Sequence, residues 1–419
     1  MRCSPKAWSV LRLSNMHSAD TVEQEARQGW IKCYVATVIA MMAIQASSLG
    51  FSPLIPFMKE SWGMSYTQMG TFTGLYGIVG LMMSLPAGLL AKRYGEKSVM
   101  TVGLLLAMVG LLLVALAASY VQGLMARTLW LIGYRLAFIS VVTAVAVTVP
   151  GRWRGNAMGL VGALTALATI IGSGFASRMQ VSVGWRLSMV GFAALALIAA
   201  ACFMYLYRPA KPAQVRASAT PPAPSGLFSA FKIPIVWTIP LLGLANAGGF
   251  AATFFVPSVV RSEFHGGPGM ASTIIAVAYS LAIIVNPLCG WLADRLDRWL
   301  VMAAMSAATI PACFLMSSRN VYVFGLATAV LVAVGHAAAN QVYPTAAGLL
   351  RGRDTGPIMG IVGLGSGIFG YLGPQALGWL RDYSGGFDLG WKVVMAATVG
   401  IVLLMLHLKR YSDAHASAE

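Results

Sequence analysis

Charge is scarce in this 419-residue chain: 10% of its residues are charged and only 13 are acidic, against 58% that are hydrophobic. A water-soluble fold of that composition would lack the polar residues to cover its surface, so a soluble globular domain is excluded and the chain is expected to lie in lipid. Cysteine is equally sparse. Cys3, Cys33, Cys202, Cys289 and Cys313 are scattered without CxxC spacing, which speaks against a zinc site and against a disulfide framework. Paired carboxylates, a nucleophile motif and a metal-ligand cluster are missing too, so no enzyme activity, metal or cofactor is expected. With no soluble output domain attached, a signalling receptor is disfavoured as well. The stretch Met1 to Gly29 has no long apolar core ahead of a small-residue cleavage site, so it does not read as a secretory signal.

What the chain has in abundance is apolar runs of bilayer-spanning length, about 20 residues each. Read between charged or turn residues they fall near 32–56, 68–90, 98–118, 121–149, 156–177 and 187–207. Six more lie near 233–258, 271–292, 299–317, 321–349, 357–379 and 391–408. Twelve spans put both termini on one side. The formal net charge of +16 suggests nucleic acid only until its distribution is examined, because no basic stripe interleaves with exposed aromatics. With both ends in the cytoplasm, 20 of the 29 basic residues fall on that side, seven outside, and Arg127 and Arg135 within the fourth span. The excess of positive charge inside then predicts an inner-membrane protein with cytoplasmic termini.

One segment breaks the pattern of short loops. RPAKPAQVRASATPPAPSG, from Arg208 to Gly226, has the Pro, Ala and basic content of a solvated connector. The expected organisation is a tail over 1–30, a six-helix bundle over 31–207, a linker over 208–230, a second six-helix bundle over 231–408 and a tail over 409–419. The bundles repeat one another: AMGLVG at Ala157 matches IMGIVG at Ile358, Gly88 and Arg93 match Gly290 and Arg295, and Gly184-Trp185-Arg186 matches Gly390-Trp391-Lys392. Matches in one order at nearly constant spacing argue for a duplication.

These features resemble the major facilitator superfamily over essentially the whole chain. After its second span that family usually carries Gly, three residues, Asp, Arg, any residue, Gly, then basic residues. Here the loop reads GLLAKRYGEK from Gly88, with Lys92 at the Asp position and Glu96 where a basic residue is common; the second copy, GWLADRLDR from Gly290, keeps Asp294 and Arg295 but has Asp297 for the Gly. The resemblance implies an all-α membrane fold of twelve helices in two pseudo-symmetric bundles. It also implies a cytoplasmic gate braced by Arg93, Asp294 and Arg295, with Arg127 of ARTLWLIG counted among the gating residues. The Gly-Pro signature of antiporters is absent from GALTALATIIGSGF at Gly162, which disfavours proton-driven drug efflux.

The polar residues inside the spans carry the chemical reading. A charge at the bilayer centre costs at least about 2.5 kcal/mol, so it normally faces the bundle interior or a cavity. Arg135 sits near mid-depth of the fourth span, while Arg127, nearer the outer end, is within snorkelling reach of the interface. No Asp or Glu falls at mid-depth. An unpaired guanidinium needs an anion, and a solute can supply it through the bidentate fork that lysine lacks. Subtracting 201 from His336 lands on Arg135, and the same shift takes Asn246 to Gln45. The family's central cavity is lined by its first, fourth, seventh and tenth helices, which carry these four residues. Tyr134 adjoins Arg135; Asn340 and Tyr343 continue the His336 face, and Asn286 precedes Pro287 in the eighth span.

Each residue also has a plain structural reading. Arg135 can bond backbone carbonyls, His336 can be a packed histidine, Gln45 and Asn246 can join helices, and the tyrosines can be core. The expected function is alternating-access transport of a small, anionic solute by a monomer in the lipid bilayer, with no nucleic-acid partner. The alternative is a proton-coupled exporter of lipophilic or drug-like compounds.

Overall fold

The computed structural model describes residues 30–150, 153–208, 234–348 and 355–416. The expected 1–30 tail and 208–230 linker lie almost wholly outside the described residues. All the secondary structure described is helical. In chain order it comprises α1 (Trp30–Trp62, with a 3-10 turn at Ser52–Leu54), α2 (Tyr66–Tyr94), α3 (Glu96–Leu116) and α4 (Tyr120–Thr148). A single run, Arg154–Leu206, follows. A 3-10 stretch, Pro234–Asn246, then leads into α7 (Ala247–Glu263), α8 (Pro268–Arg295), α9 (Arg298–Leu315), α10 (Val321–Gly348), α11 (Thr355–Ser384) and α12 (Asp388–Ala416).

Arg154–Leu206 has 53 residues, about 80 Å of straight helix against a hydrocarbon core of about 30 Å. It is two spans, because Gly184 at φ 82° and ψ 169° reverses the chain. We call the arms α5 (154–183) and α6 (185–206). The sequence predicts a connection of several residues there, yet one residue suffices: glycine takes the left-handed φ without a Cβ penalty. Trp185 Nε1 donates to Ser61 Oγ at 2.9 Å and Arg186 Nη1 to the carbonyls of Ala115 and Ala117 at 2.7 and 2.8 Å, tying the turn to the ends of α1 and α3. The seventh span differs as well. Its first half is 3-10 and only its second half α-helical, with Pro240 in the former and Pro257 in the latter.

The first and last described helices begin and end at the same end of the molecule. Cys33 Sγ at the start of α1 lies 3.1 Å from the Arg208 carbonyl beyond α6, and Lys409 near the end of α12 pairs with Asp297 before α9 at 3.5 Å. At this terminal end the apolar core is divided: Met41, Ile44, Leu104, Val141 and Phe203 cluster in the first half, Leu242, Trp299, Met405 and Leu408 in the second. At the far end one cluster runs through both halves, from Phe51, Met58 and Trp130 to Phe254, Phe255 and Trp391.

Far-end closure rests on close backbone approach. Gly70, Gly74 and Gly77 of α2 face Pro374, Tyr371 and Gly367 of α11 so tightly that a Cβ at any of them would meet α11 backbone. Gly367 of α11 in turn meets Leu81 and the Gly77 carbonyl, whereas Gly363, one turn earlier, has open space. Polar contacts then seal the rim. Arg261 binds Glu60 through Nε and Nη2 at 2.7 and 2.8 Å. Asp382 accepts from the amides of Tyr66 and Thr67 at 3.0 and 2.7 Å and from the Thr67 hydroxyl at 2.7 Å. Glu60 and Arg261 are themselves 201 residues apart, the offset that relates Arg135 to His336. The ion pair thus joins positions equivalent under the repeat.

Candidate substrate site

Arg135 lies on the α4 face turned to α2, half-buried. Its Nη2 donates to the Tyr76 carbonyl at 3.0 Å, and its guanidinium carbon stands 4.5 Å from the Tyr76 ring centroid and 5.5 Å from that of Tyr134. Among the described residues its buried Nε has no hydrogen-bond partner and the side chain has no carboxylate partner. Gly80, one turn beyond Tyr76, makes the room: a methyl group there would overlap the guanidinium. The fork is therefore held by one carbonyl and two ring faces, with donor capacity left over.

Around it runs a chain of hydroxyls. Tyr76 and Tyr134 share a hydrogen bond at 3.0 Å, and Tyr134 donates to Gln45 Oε1 at 2.8 Å. Gln45, Tyr134 and Arg135, three residues singled out by sequence, are thus brought together, but the hub is Tyr76, which sequence reasoning missed. The ring of Tyr76 reaches Phe250 of α7 at 5.1 Å between centroids, and Phe250 stacks on His336 of α10 at 5.9 Å. Arg135 and His336 are therefore linked across the two halves through Tyr76 and Phe250 rather than by direct contact. Tyr279 of α8 closes the second-half wall, 6.0 Å from His336.

His336 Nδ1 is 2.7 Å from the Val332 carbonyl. A carbonyl only accepts, so Nδ1 carries the hydrogen in the neutral ring and Nε2 is left to meet a solute or proton. Asn340 is exposed and donates to Asn286 Oδ1 at 3.2 Å, which pairs α10 with α8 one turn further toward the terminal end. The helix α8 continues through Pro287. The side chains of Asn246 and Tyr343 lie outside what the structure describes.

The gating residues occupy both ends. At the terminal end Arg93 is exposed over the ring of Tyr94 at 5.2 Å, Arg295 over Trp291 at 4.1 Å, and Asp294 pairs with Arg298 at 2.8 Å within its own half. None of these contacts bridges the halves. Glu96 accepts a hydrogen bond from Tyr207 at 2.9 Å, again inside the first half. Arg127 corrects the snorkelling expectation. It is 0% exposed, enclosed by Trp130, Phe51 and Phe72 with its guanidinium carbon 4.0, 4.3 and 5.5 Å from their centroids. Two aromatic residues of α1 and α2 fold over it, which its distance from the helix end does not reveal.

A polar cluster between two duplicated helical halves, whose apolar cores are joined at one end and separate at the other, fits the layout of an alternating-access carrier. The family comparison agrees: the model of the Major Facilitator Superfamily matches residues 33–265 and 241–417. The chain belongs to this superfamily. It is a multi-pass membrane transporter, not an enzyme. Among its relatives in the superfamily, the agnestins efflux protein AgnL12 of Paecilomyces divaricatus is 25% identical over 77% of this chain and 74% of its own length. The Mycobacterium tuberculosis protein named "Probable nitrate/nitrite transporter NarK2" is 24% identical over 91% of this chain and 98% of its own. The cis,cis-muconate transport protein of Acinetobacter baylyi is 21% identical over 91% and 95%. Among solved folds, a bacterial homologue of the human lysosomal transporter Spinster, inward-facing and unoccupied, superposes with a TM-score of 0.69 at 14% identity, covering 92% of this chain and 96% of that one.

Proposed function

We propose that this superfamily transporter carries a small organic or inorganic anion by alternating access, with Arg135 as its charge anchor. The observation that carries the reading is the guanidinium itself, held against Tyr76, whose ring meets Phe250 of the other half, with a single carbonyl as hydrogen-bond partner and no carboxylate among the described residues. Relatives named for nitrate and for muconate support the charge class. Gln45 and Tyr134 position Tyr76, and His336, Asn340, Asn246 and Tyr343 contribute the second-half wall. At the terminal end, taken as cytoplasmic in the inner membrane, Arg93, Asp294 and Arg295 form the gate that closes when the far end opens. The boundaries of the two bundles are those of the repeat, 31–207 and 231–408.

The test is uptake of nitrate and of cis,cis-muconate into proteoliposomes by wild type, Arg135→Ala and Arg135→Lys. Loss in the alanine variant with partial recovery in the lysine variant is expected; undiminished transport by Arg135→Ala would remove Arg135 from the site. Anion exchange or facilitated uptake needs no proton carrier; for proton symport, with no mid-depth carboxylate in the spans, the carrier is the substrate itself or His336. If His336 carries it, uptake against pH should lose its dependence in His336→Gln, and identical profiles would reject the role.

A second reading, export of lipophilic compounds, draws on the aromatic lining of Tyr76, Tyr134, Phe250 and Tyr279 and on the efflux relative. Resistance conferred on an efflux-deficient host, without anion flux by the purified protein, would select it.

A further inference from the structure

Arg127 is not explained by a gate at the terminal end. It lies eight residues before Arg135 on α4, about 12 Å along the helix toward the closed far end. Among the described residues its Nε, Nη1 and Nη2 all lack a hydrogen-bond partner, and it has no ion pair. The orphan donors extend to its neighbours. Trp130 Nε1, one turn along α4, is buried without a partner, and so are the hydroxyls of Ser48 and Ser52, which flank Phe51 on α1. Guanidinium and indole nitrogens only donate. The cluster is thus rich in donors and, among the described residues, holds no negatively charged acceptor.

Stability alone does not account for this. Ring faces attract a guanidinium, but less than its desolvation costs, and an apolar side chain of similar volume would fill the same space more cheaply. The position is also conformationally special. Phe51 covers Arg127 and meets Phe254 of the opposite half at 6.1 Å, so the lid of the cage is itself part of the far-end closure. Parting the halves at that end takes Phe254 away from Phe51 and leaves the Phe51 ring free to swing off Arg127 toward the pathway.

We propose that Arg127 is a second anion station, sealed while the far end is closed and exposed when it opens, which passes the solute to or from Arg135. The ligand class is a small oxyanion or carboxylate able to accept the guanidinium fork and the indole N–H. The station rests on the reading that the cargo is anionic. It makes each half of the transport path carry its own arginine on one helix, so the charge is never left without a cationic partner between the two faces.

Two measurements test it. In the first, phenylglyoxal modification of Arg127 is mapped by mass spectrometry in wild type and in Glu60→Gln, whose far-end latch is weakened. Modification is expected to rise a few-fold in the variant and to fall again with saturating cis,cis-muconate or nitrate; modification that no anion suppresses would overturn the proposal. In the second, right-side-out and inside-out vesicles are compared for Arg127→Leu and Arg127→Lys. The leucine variant should raise KM for muconate about tenfold at the far face and leave the terminal face near wild type, with partial recovery in the lysine variant. Wild-type KM at both faces, with Arg135→Ala still impaired, would make Arg127 an aromatic-packed strut and sink the station while leaving the anchor intact. If wild type transports no anion, station and anchor fall together.

Discussion

The two ends of the molecule are built from different materials. At the far end the halves meet through glycine backbone, interlocked aromatics, one bidentate ion pair and a carboxylate capping the start of α2. At the terminal end Asp294 pairs with Arg298 inside the second half, Glu96 accepts from Tyr207 inside the first, and the apolar core is split. The contrast teaches that closure at the far end depends on shape first and charge second. A gate made of charged side chains at the terminal end can be assembled and released without repacking a core, because exposed pairs contribute little.

The strongest way to break the comparison is to deny the far end its close approach. In Gly77→Leu the new side chain would run into the Gly367 carbonyl and the Tyr371 amide. Overpacking of this kind costs about 1–3 kcal/mol, so transport should fall tenfold or more and the melting temperature should drop; wild-type uptake would show that α2 and α11 need not touch. Removing the ion pair should do less. Arg261 and Glu60 are 39% and 56% exposed, so Glu60→Gln is expected to cost under about 1 kcal/mol. It should lengthen the distance between probes on exposed Ser182 and Arg319 in only part of the population, and a fully opened population would reverse the order of shape and charge.

Asp382 sharpens the point through pH. Burial raises the pKa of its carboxyl, but hydrogen bonds from Thr67, Tyr66 and Ser65 outweigh it and hold the group below the usual carboxylate range. Its contribution to closure is therefore complete above about pH 4 and is lost only as pH falls through the depressed value. The same probes should report no change between pH 7 and 5 and an opening only below about pH 4; an opening already at pH 5 would place the sensitivity elsewhere. The smallest effect is expected at the terminal end. Asp294→Asn breaks an exposed pair inside one half and should leave the far-end distance unaltered while slowing uptake a few-fold.

Much of the fold was legible because apolar length and the positive charge between runs are properties of local sequence. Arg135 was legible for the same reason: a lone charge in an apolar run stands out. Tyr76 and Phe250 were not, since an aromatic residue in a membrane helix reads as core until a partner from another helix is known, and Gly80 matters only because of the group packed on it. Asp382 sat beyond the expected eleventh span and carried no signal until α2 was placed beside it. Arg127 was seen, but its surroundings were misread, because depth along one helix says nothing about rings supplied by two others.

The account turns on an anion meeting the Arg135 guanidinium, and equilibrium binding tests that most directly. Calorimetric titration of purified wild type and Arg135→Lys with cis,cis-muconate and with nitrate should show binding to wild type that weakens tenfold or more in the lysine variant, since a point charge cannot reproduce the planar fork. Equal affinity in the two proteins, or none in wild type, would contradict it.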